Sequence, residues 1–357
     1  MEKIGIICEY NPFHNGHIYH IGKIKEQFPD SVIIAVISGN FTQRGIPSIL
    51  SKSEKATIAI NNGIDLVIEL PFAFSSQSAD IFAYGAVKIL DVLGIDYLIF
   101  GSESNDIEKI NKCAELQLNN KAYEKEVKKY LSQGLNYPTA MSKALGDNLV
   151  NEPNDLLGIS YVKALKLLNS KIIPLTIKRT NDFHSDKIDN ISSASAIRNG
   201  LSNKKDISKS VPIDVYSIIK DRKDINYFSF IKYKILSEGT DINKYQTVDE
   251  GIENRILKVI NNCNSTKELI EHIKTKRYTY NKISRMLIHI LCSFTKEEAK
   301  NNMEIKYIHV LGFTQSGQAY LNKIKKIINV PIITTTKYYD DLLTLQKRVD
   351  SIYDLIK

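Results

Sequence analysis

The stretch KIGIICEYNPFHNGHIYHIGKIKEQF, residues 3–28, decides the fold. Its opening KIGIICEY is a short apolar run bounded by charge, the mark of a buried strand. Asn11, Pro12 and Phe13 then form a turn, because proline fixes φ and ends the strand. From Gly16 onward apolar residues recur at helical spacing. A strand that passes directly into a helix is the first half of a strand–helix–strand unit, and the following sequence repeats the pattern. SVIIAVISG (31–39), IDLVIELP (64–71), IDYLIFGSES (95–104) and KIIPLTIKR (171–179) are further strands. SKSEKATIAINNG (51–63), SADIFAYGAVKILDVLG (78–94) and NDLLGISYVKALKLL (154–168) are helices. Such alternation predicts a parallel sheet with right-handed crossovers, whose ligands lie at the carboxyl ends of the strands.

The pattern changes after Gly200. Residues 210–300 carry helical periodicity without convincing buried strands, and short apolar runs return only in KYIHVLGF and VPII. We therefore expect an α/β, Rossmann-like domain over residues 1–200 and a mainly helical domain over 201–357. Charge divides at the same place. Residues 1–200 hold 21 Lys+Arg against 22 Asp+Glu, while residues 201–357 hold 27 against 18. The excess of basic residues fits a phosphate-bearing partner, and it equally fits a lysine-rich compositional bias. No apolar run reaches the ~18 residues of a membrane span, and the N-terminus lacks a basic leader and cleavage site. Cys8, Cys113, Cys263 and Cys292 are scattered without a CxxC pair, as expected of reduced cytosolic thiols and not of a zinc knuckle or disulfide frame.

The candidate chemistry sits where the first strand meets its helix. His14 and His17 are three apart and can face one ligand, and Gly16 leaves room for a close approach to the backbone. A helix start offers free N–H groups and partial positive charge, which suits phosphate. Neither a cysteine nor an acidic residue accompanies the histidines at zinc-ligand spacing, so no metal site is assigned. ISSASAIRNG, residues 191–200, supplies a second element: Ser193 and Ser195 at a helix start and Arg198 one turn inside, a planar fork for phosphate.

His14-x-Gly16-His17 after the first strand, with Ser193-Ala194-Ser195-x-x-Arg198 later, resembles the nucleotidylyltransferase superfamily of Rossmann-like enzymes. The usual late motif is Ser-Ser-Thr-x-x-Arg, so Ala194 removes one hydroxyl. The stretches GIICEYNPFHNGHIYHI, SGNFTQRGIPSIL, DLVIELPFAFSSQSADIFAYGAVKIL, FGSES, EPNDLLGISYVKAL, KRYTYNKISRMLIHIL and YIHVLGFTQSGQAYL are similar to the bacterial tRNA(Met) cytidine acetate ligase family, over nearly the whole chain. NDFHSD at 181–186 departs from that pattern, which leaves the role of His184 open.

The resemblance implies a cytoplasmic ligase that forms acetyl-adenylate from ATP and acetate, with Mg²⁺ on the phosphates. It then acetylates the exocyclic amine of the wobble cytidine in elongator tRNA(Met). It further implies an ATP strip along Ile7, Cys8, Glu9, Tyr10, Asn11, Pro12, Phe13, His14, Asn15, Gly16, His17, Ile18, Tyr19 and His20, with Gly101, Asn154, Arg179 and Ser195 beside it. His14, His17 and Arg198 would stabilise charge on the phosphates. For Asn154 a helix cap is the plain alternative, for Arg179 a solvated basic pair with Lys178, and for His20 a structural role. Asn40, Thr42, Gln43 and Arg44, in the loop after the second strand, are candidates for the carboxylate or the nucleotide. Asp65 and Glu69 share a strand face without forming an acid–base pair by spacing alone. In KTKRYTYNKISR, residues 274–285, five basic residues interleave with Tyr278 and Tyr280 and no acid. Together with the resemblance, that composition points to RNA backbone contacts from Lys276, Arg277, Lys282 and Arg285. The alternative is a small-molecule nucleotidylyltransferase, which has no need of a basic second half. A non-catalytic RNA-binding protein is disfavoured by the intact His14, Gly16, His17 and Arg198.

Overall fold

A computed structural model describes the chain except residues 147–149, 151, 180–187, 336, 338 and 339. The five expected strands form as β1 (Lys3–Cys8), β2 (Val32–Ser38), β3 (Leu66–Leu70), β4 (Tyr97–Ser102) and β5 (Ile173–Lys178). They pair in parallel in the order β5-β4-β1-β2-β3. β1 and β2 occupy the middle, so the histidine turn leaves from the centre of the carboxyl edge.

Two more strands come from beyond residue 200. β6 (Ile308–Phe313) adds to β3 in the antiparallel sense, and β7 (Ile332–Ile333) pairs in parallel with β6. The returning apolar runs are thus sheet strands, and the second half of the chain is not helical throughout. Asp65, read from sequence as one of two acids on a strand face, helps to seat β6. Its Oδ2 accepts the Ile33 N–H at 3.1 Å, and its Oδ1 accepts the Thr314 hydroxyl at 2.8 Å.

The strand alternation builds two cores. Val32, Ile34 and Val36 face one side, with the helices Ala79–Val92, Pro153–Leu167, Tyr280–Leu291 and Asp341–Ile356. Ile33, Ala35 and Ile37 face the other, with the helices Asn15–Gln27, Lys52–Asn61, Ala194–Ser202 and Ile213–Ile219. β2 is buried on both faces, which is why its sequence is continuously apolar. Each such aliphatic side chain contributes about 1.5–3 kcal/mol on burial. Both cores draw residues from either side of position 200, so the sequence boundary does not separate two hydrophobic cores.

Candidate active site

β1 ends at Cys8, and Tyr10 turns the chain with φ of +49°, a left-handed conformation costly for a bulky residue. Packing holds it there. The Tyr10 ring meets Phe13 edge-on at 4.9 Å and His17 at 4.8 Å; Tyr10 and Phe13 are buried and His17 half-buried.

The helix Asn15–Gln27 begins with an unusual capping box. His14 is the N-cap, and its Nδ1 accepts the Gly16 N–H at 3.1 Å. The His17 Nδ1 accepts the His14 N–H at 3.1 Å in return. Two imidazoles thus do the work usual for Ser and Glu. The rings lie 3.8 Å apart between centroids. Burial, with the charges of Arg179 and Arg198, pushes His14 down to about 3. Burial and neighbouring His14, His20 and Arg179 hold His17 well below the ordinary imidazole range. Both are therefore neutral at pH 7. A neutral imidazole that accepts at Nδ1 carries its proton on Nε2, so the pair presents two Nε2–H donors.

This geometry corrects two expectations. The first amides of the helix are already engaged: Asn15 N–H by the Ser210 carbonyl at 3.1 Å, Gly16 by His14, and His17 by the His14 carbonyl at 2.8 Å. The donors left for a ligand at this turn are side chains, not the helix start. Gly16 is required by the His14 ring, since a Cβ there would lie 2.9 Å from His14 Cε1.

Two guanidinium groups flank the histidines. Arg198 donates to the Asn11 carbonyl and to Ser195 Oγ (3.2 Å), tying its own helix to the β1 exit, while Ser193 caps that helix by accepting the Ala196 N–H at 3.1 Å. Arg179, at the exit of β5, lies across Gly101, where a Cβ would stand 3.3 Å from its Cγ. The absent side chain at Gly101 makes room for Arg179. Arg179 Nε is 3.7 Å from Glu103 Oε1, so Arg179 is not the solvated partner of Lys178. Asn154 is not a helix cap either: Glu152 is the N-cap, and the Asn154 side chain donates to Glu103. Glu103 also accepts the Asn154 and Asp155 amides at 3.2 and 3.1 Å. Glu103, which lay in the FGSES stretch but was not among the candidate residues, organises this side of the site.

The rest of the strip divides. Glu9 faces the loop after β2 and accepts the Gln43 N–H at 2.6 Å. Burial pushes the Cys8 thiol up to about 12 and His20 down to about 4. Asn15 reaches away from the histidines to the Asn190 and Lys209 carbonyls, both at 2.8 Å. Ile18 is exposed, and Tyr19 lies under Lys23. Asn40 and Thr42 are buried structural groups: Asn40 bonds Asp350 and the Lys52 amide, and Thr42 bonds the Ile46 carbonyl. Glu69 is buried against Lys52 (2.9 Å) and His309 (2.5 Å). His184 lies outside the described residues.

The basic segment also divides. Lys276 and Arg277 are exposed. Lys282 stands 3.9 Å over the Tyr278 ring, and that tyrosine is buried with its hydroxyl on the Asp249 carbonyl at 2.7 Å, so only Tyr280 faces outward. Arg285 points to the Gln43 carbonyl at 3.4 Å, and Ser284 Oγ donates to the Gly45 carbonyl at 2.7 Å. The helix Tyr280–Leu291 therefore touches the loop that carries Gln43.

Neutral imidazole donors and paired guanidiniums at the carboxyl edge of a Rossmann-like sheet define a HIGH-type nucleotidyl transferase, and the model of the HIGH nucleotidyl transferase family matches residues 1–357. Within that class the chain belongs to the tRNA(Met) cytidine acetate ligase family. It is 39% identical over 378 aligned positions to the tRNA(Met) cytidine acetate ligase of Anoxybacillus flavithermus, covering 99% of this chain and 94% of that protein. To the ligase of Clostridium novyi it is 40% identical, covering 100% and 96%. The crystal structure of Thermotoga maritima TmcAL bound with alpha-thio ATP matches with a TM-score of 0.89 at 30% identity, covering 100% of this chain and 95% of that one. The apo form of the same protein matches with a TM-score of 0.91 at 31% identity and the same coverage.

Proposed function

We propose that this chain activates acetate with ATP and transfers the acetyl group to the wobble cytidine of elongator tRNA(Met). The observation that carries this reading is the neutral His14–His17 pair between Arg179 and Arg198. An acetate oxygen attacks the α-phosphorus, the bond to the β-phosphate oxygen breaks, and pyrophosphate leaves. The two Nε2–H donors and Arg198 stabilise negative charge that grows on the phosphates, a contribution made mainly in the transition state. The cytidine amine then attacks the acetyl carbon, its proton is released, and AMP leaves. Because burial lowers the basicity of His14 and His17, and their Nδ1 atoms already accept backbone N–H groups, they act as donors and are poor acceptors for that proton.

ATP would run along residues 7–20, with Gly101, Asn154, Arg179 and Ser195 beside it; Gly101 and Asn154 would act through Arg179 and Glu103. Mg²⁺ fits as an ion carried by the nucleotide: it needs few protein ligands and keeps phosphate and water oxygens. Glu9 is the carboxylate next to the histidine turn that would hold it, and its charge would be supplied to the β- and γ-phosphates. Residues 1–200 would carry the nucleotide chemistry and residues 201–357 the tRNA grip, with Lys276 and Arg277 as backbone contacts and Lys282 and Arg285 behind them. No described helix is long and apolar enough to cross a membrane, and the proposed tRNA substrate supports a reaction in the cytoplasm.

Incubation with ATP, labelled acetate and bulk tRNA tests the reading. Label is expected in tRNA, with pyrophosphate release that requires acetate. Label confined to a small nucleotide product, or ATP turnover indifferent to acetate, would overturn it.

A further inference from the structure

Lys55 is an anomalous charge among the described residues. It lies on the helix Lys52–Asn61, where a lysine ordinarily faces water, yet its exposure is 0%. Its Nζ donates to the Ser38 carbonyl at 3.1 Å and the Gly39 carbonyl at 2.7 Å, where β2 ends. Among the described residues it makes no ion pair. Glu9 and Glu69 act on it only through their field, and burial brings it down to about 7. A buried ammonium without a touching carboxylate is expensive, and a leucine or methionine would fill the same space.

What Lys55 holds is the start of the loop 39–45. Around that start the protein is packed tightly. A Cβ on Gly39 would lie 2.6 Å from Glu69 Oε1. Asn40 is fixed by Asp350 and by the Lys52 amide, both at 2.9 Å. From there the loop turns through the Thr42–Gly45 bond at 3.0 Å and presents two groups from Gln43. The Gln43 N–H meets Glu9, and its Nε2 meets the Gln77 carbonyl at 2.9 Å. Glu9 precedes the tyrosine whose ring packs on His17, and its field reaches Arg198.

We propose that Lys55 is a positioning residue for the reaction: its ammonium pins the Ser38 and Gly39 carbonyls so that the loop delivers the Gln43 N–H to Glu9 beside the histidine pair. The consequence for catalysis rests on the function proposed above; the consequence for the loop does not.

The test uses the full chain with Lys55→Met, which fills the space without a donor, and Lys55→Gln, which keeps one. Hydrogen–deuterium exchange is read on the peptide spanning 39–45 without substrate. Faster exchange there in Lys55→Met, with β2 still protected, is expected; unchanged exchange overturns the proposal whatever the reaction is. Acetate-dependent pyrophosphate release is then compared. Displacement of a positioned group by about 1 Å costs up to roughly 100-fold, so kcat should fall roughly 10–100-fold in Lys55→Met while KM for ATP stays within about threefold. Lys55→Gln should fall between that variant and the wild type. Combined with Glu9→Gln, the Lys55→Met loss should not multiply, because both act on one contact. Wild-type kcat in folded Lys55→Met, or losses that multiply, would overturn the assignment. If neither variant folds, Lys55 serves the fold and the assignment falls. A wild-type enzyme indifferent to acetate would instead count against the proposed function, leaving the exchange result to judge the loop.

Discussion

His17→Ala removes an Nε2–H donor and one half of the reciprocal cap. Loss of a donor to transition-state charge costs ~10²–10³ in rate, and we expect acetate-dependent pyrophosphate release to fall by that factor in a folded variant. Near-normal release would refute the donor role. The neutrality of the pair has its own signature. With His14 pushed to about 3 and His17 also well below the usual range, neither imidazole should produce a limb near pH 6.5 in the rate profile. Stability behaves differently. His14, His17, His20 and His289 all have folded affinities for protons below that of the unfolded imidazole, near 6.5. As pH falls through 6.5 the unfolded chain takes up protons that the folded chain refuses, so stability present above that pH is lost toward pH ~4. The melting temperature should drop between pH 7.5 and pH 5; an unchanged or higher value at pH 5 would contradict the buried neutral histidines. At this scale the sequence was half legible. Histidines around a glycine marked the β1 exit as a candidate site, and the structure brings the two imidazoles together there. That they cap each other through Nδ1 depends on Tyr10 in a left-handed conformation, which no local rule assigns to a tyrosine. Lys55 was illegible for a related reason: a lysine on an amphipathic helix reads as solvent-facing.

The loop 39–45 and the helix Tyr280–Leu291 show how elements far apart in sequence share one job. Gly45 has φ of +76°, and a Cβ there would stand 2.3 Å from the Arg285 backbone nitrogen. Gly45→Ala meets both the left-handed conformation and a backbone clash, so its cost should exceed the ~1 kcal/mol of an ordinary glycine replacement. Denaturant unfolding checks this, and a change under about 0.5 kcal/mol would show that the loop and helix are free to separate. The same contact changes what the basic segment can be asked to do. Replacing exposed Lys276 and Arg277 with alanine should weaken tRNA binding and flatten its salt dependence, by up to about one unit of log–log slope per true phosphate contact. Adenylate formation should be untouched. Arg285→Ala, in contrast, should disturb adenylate formation too, since it faces the Gln43 carbonyl. An unaltered salt slope in the double variant would place the RNA grip elsewhere. Five of the seven strands among the described residues were read as strands of one sheet, and the two later apolar runs were visible without their place in it. Tyr278 misled because an aromatic among lysines looks outward in sequence whether or not its ring is inside.

For the whole molecule, the decisive contribution is β6. The strands before residue 200 make a sheet whose β3 edge is covered only when Ile308–Phe313 arrives; if the later residues are removed, buried Glu69 loses His309, and its partner Lys52 loses Asp350. A chain ending at residue 200 should therefore be insoluble, or lack a cooperative melt, because it exposes an unpaired strand and the apolar face normally covered by the helices Tyr280–Leu291 and Asp341–Ile356. A soluble, cooperatively melting fragment would restore the two-domain picture read from charge and periodicity. That picture missed the sheet's completion because an antiparallel strand from a distant segment leaves no mark on the strand it joins. The position of β6 also sets a timetable. A ribosome makes the chain in sequence order, so the histidine turn emerges well before the strand that closes the β3 edge and the helix that carries Asp350. Nascent chains arrested before residue 308 should remain open to protease throughout residues 1–200, and protection should appear in one late step. In this design the histidine turn waits for residues far later in the chain before the sheet beside it is closed.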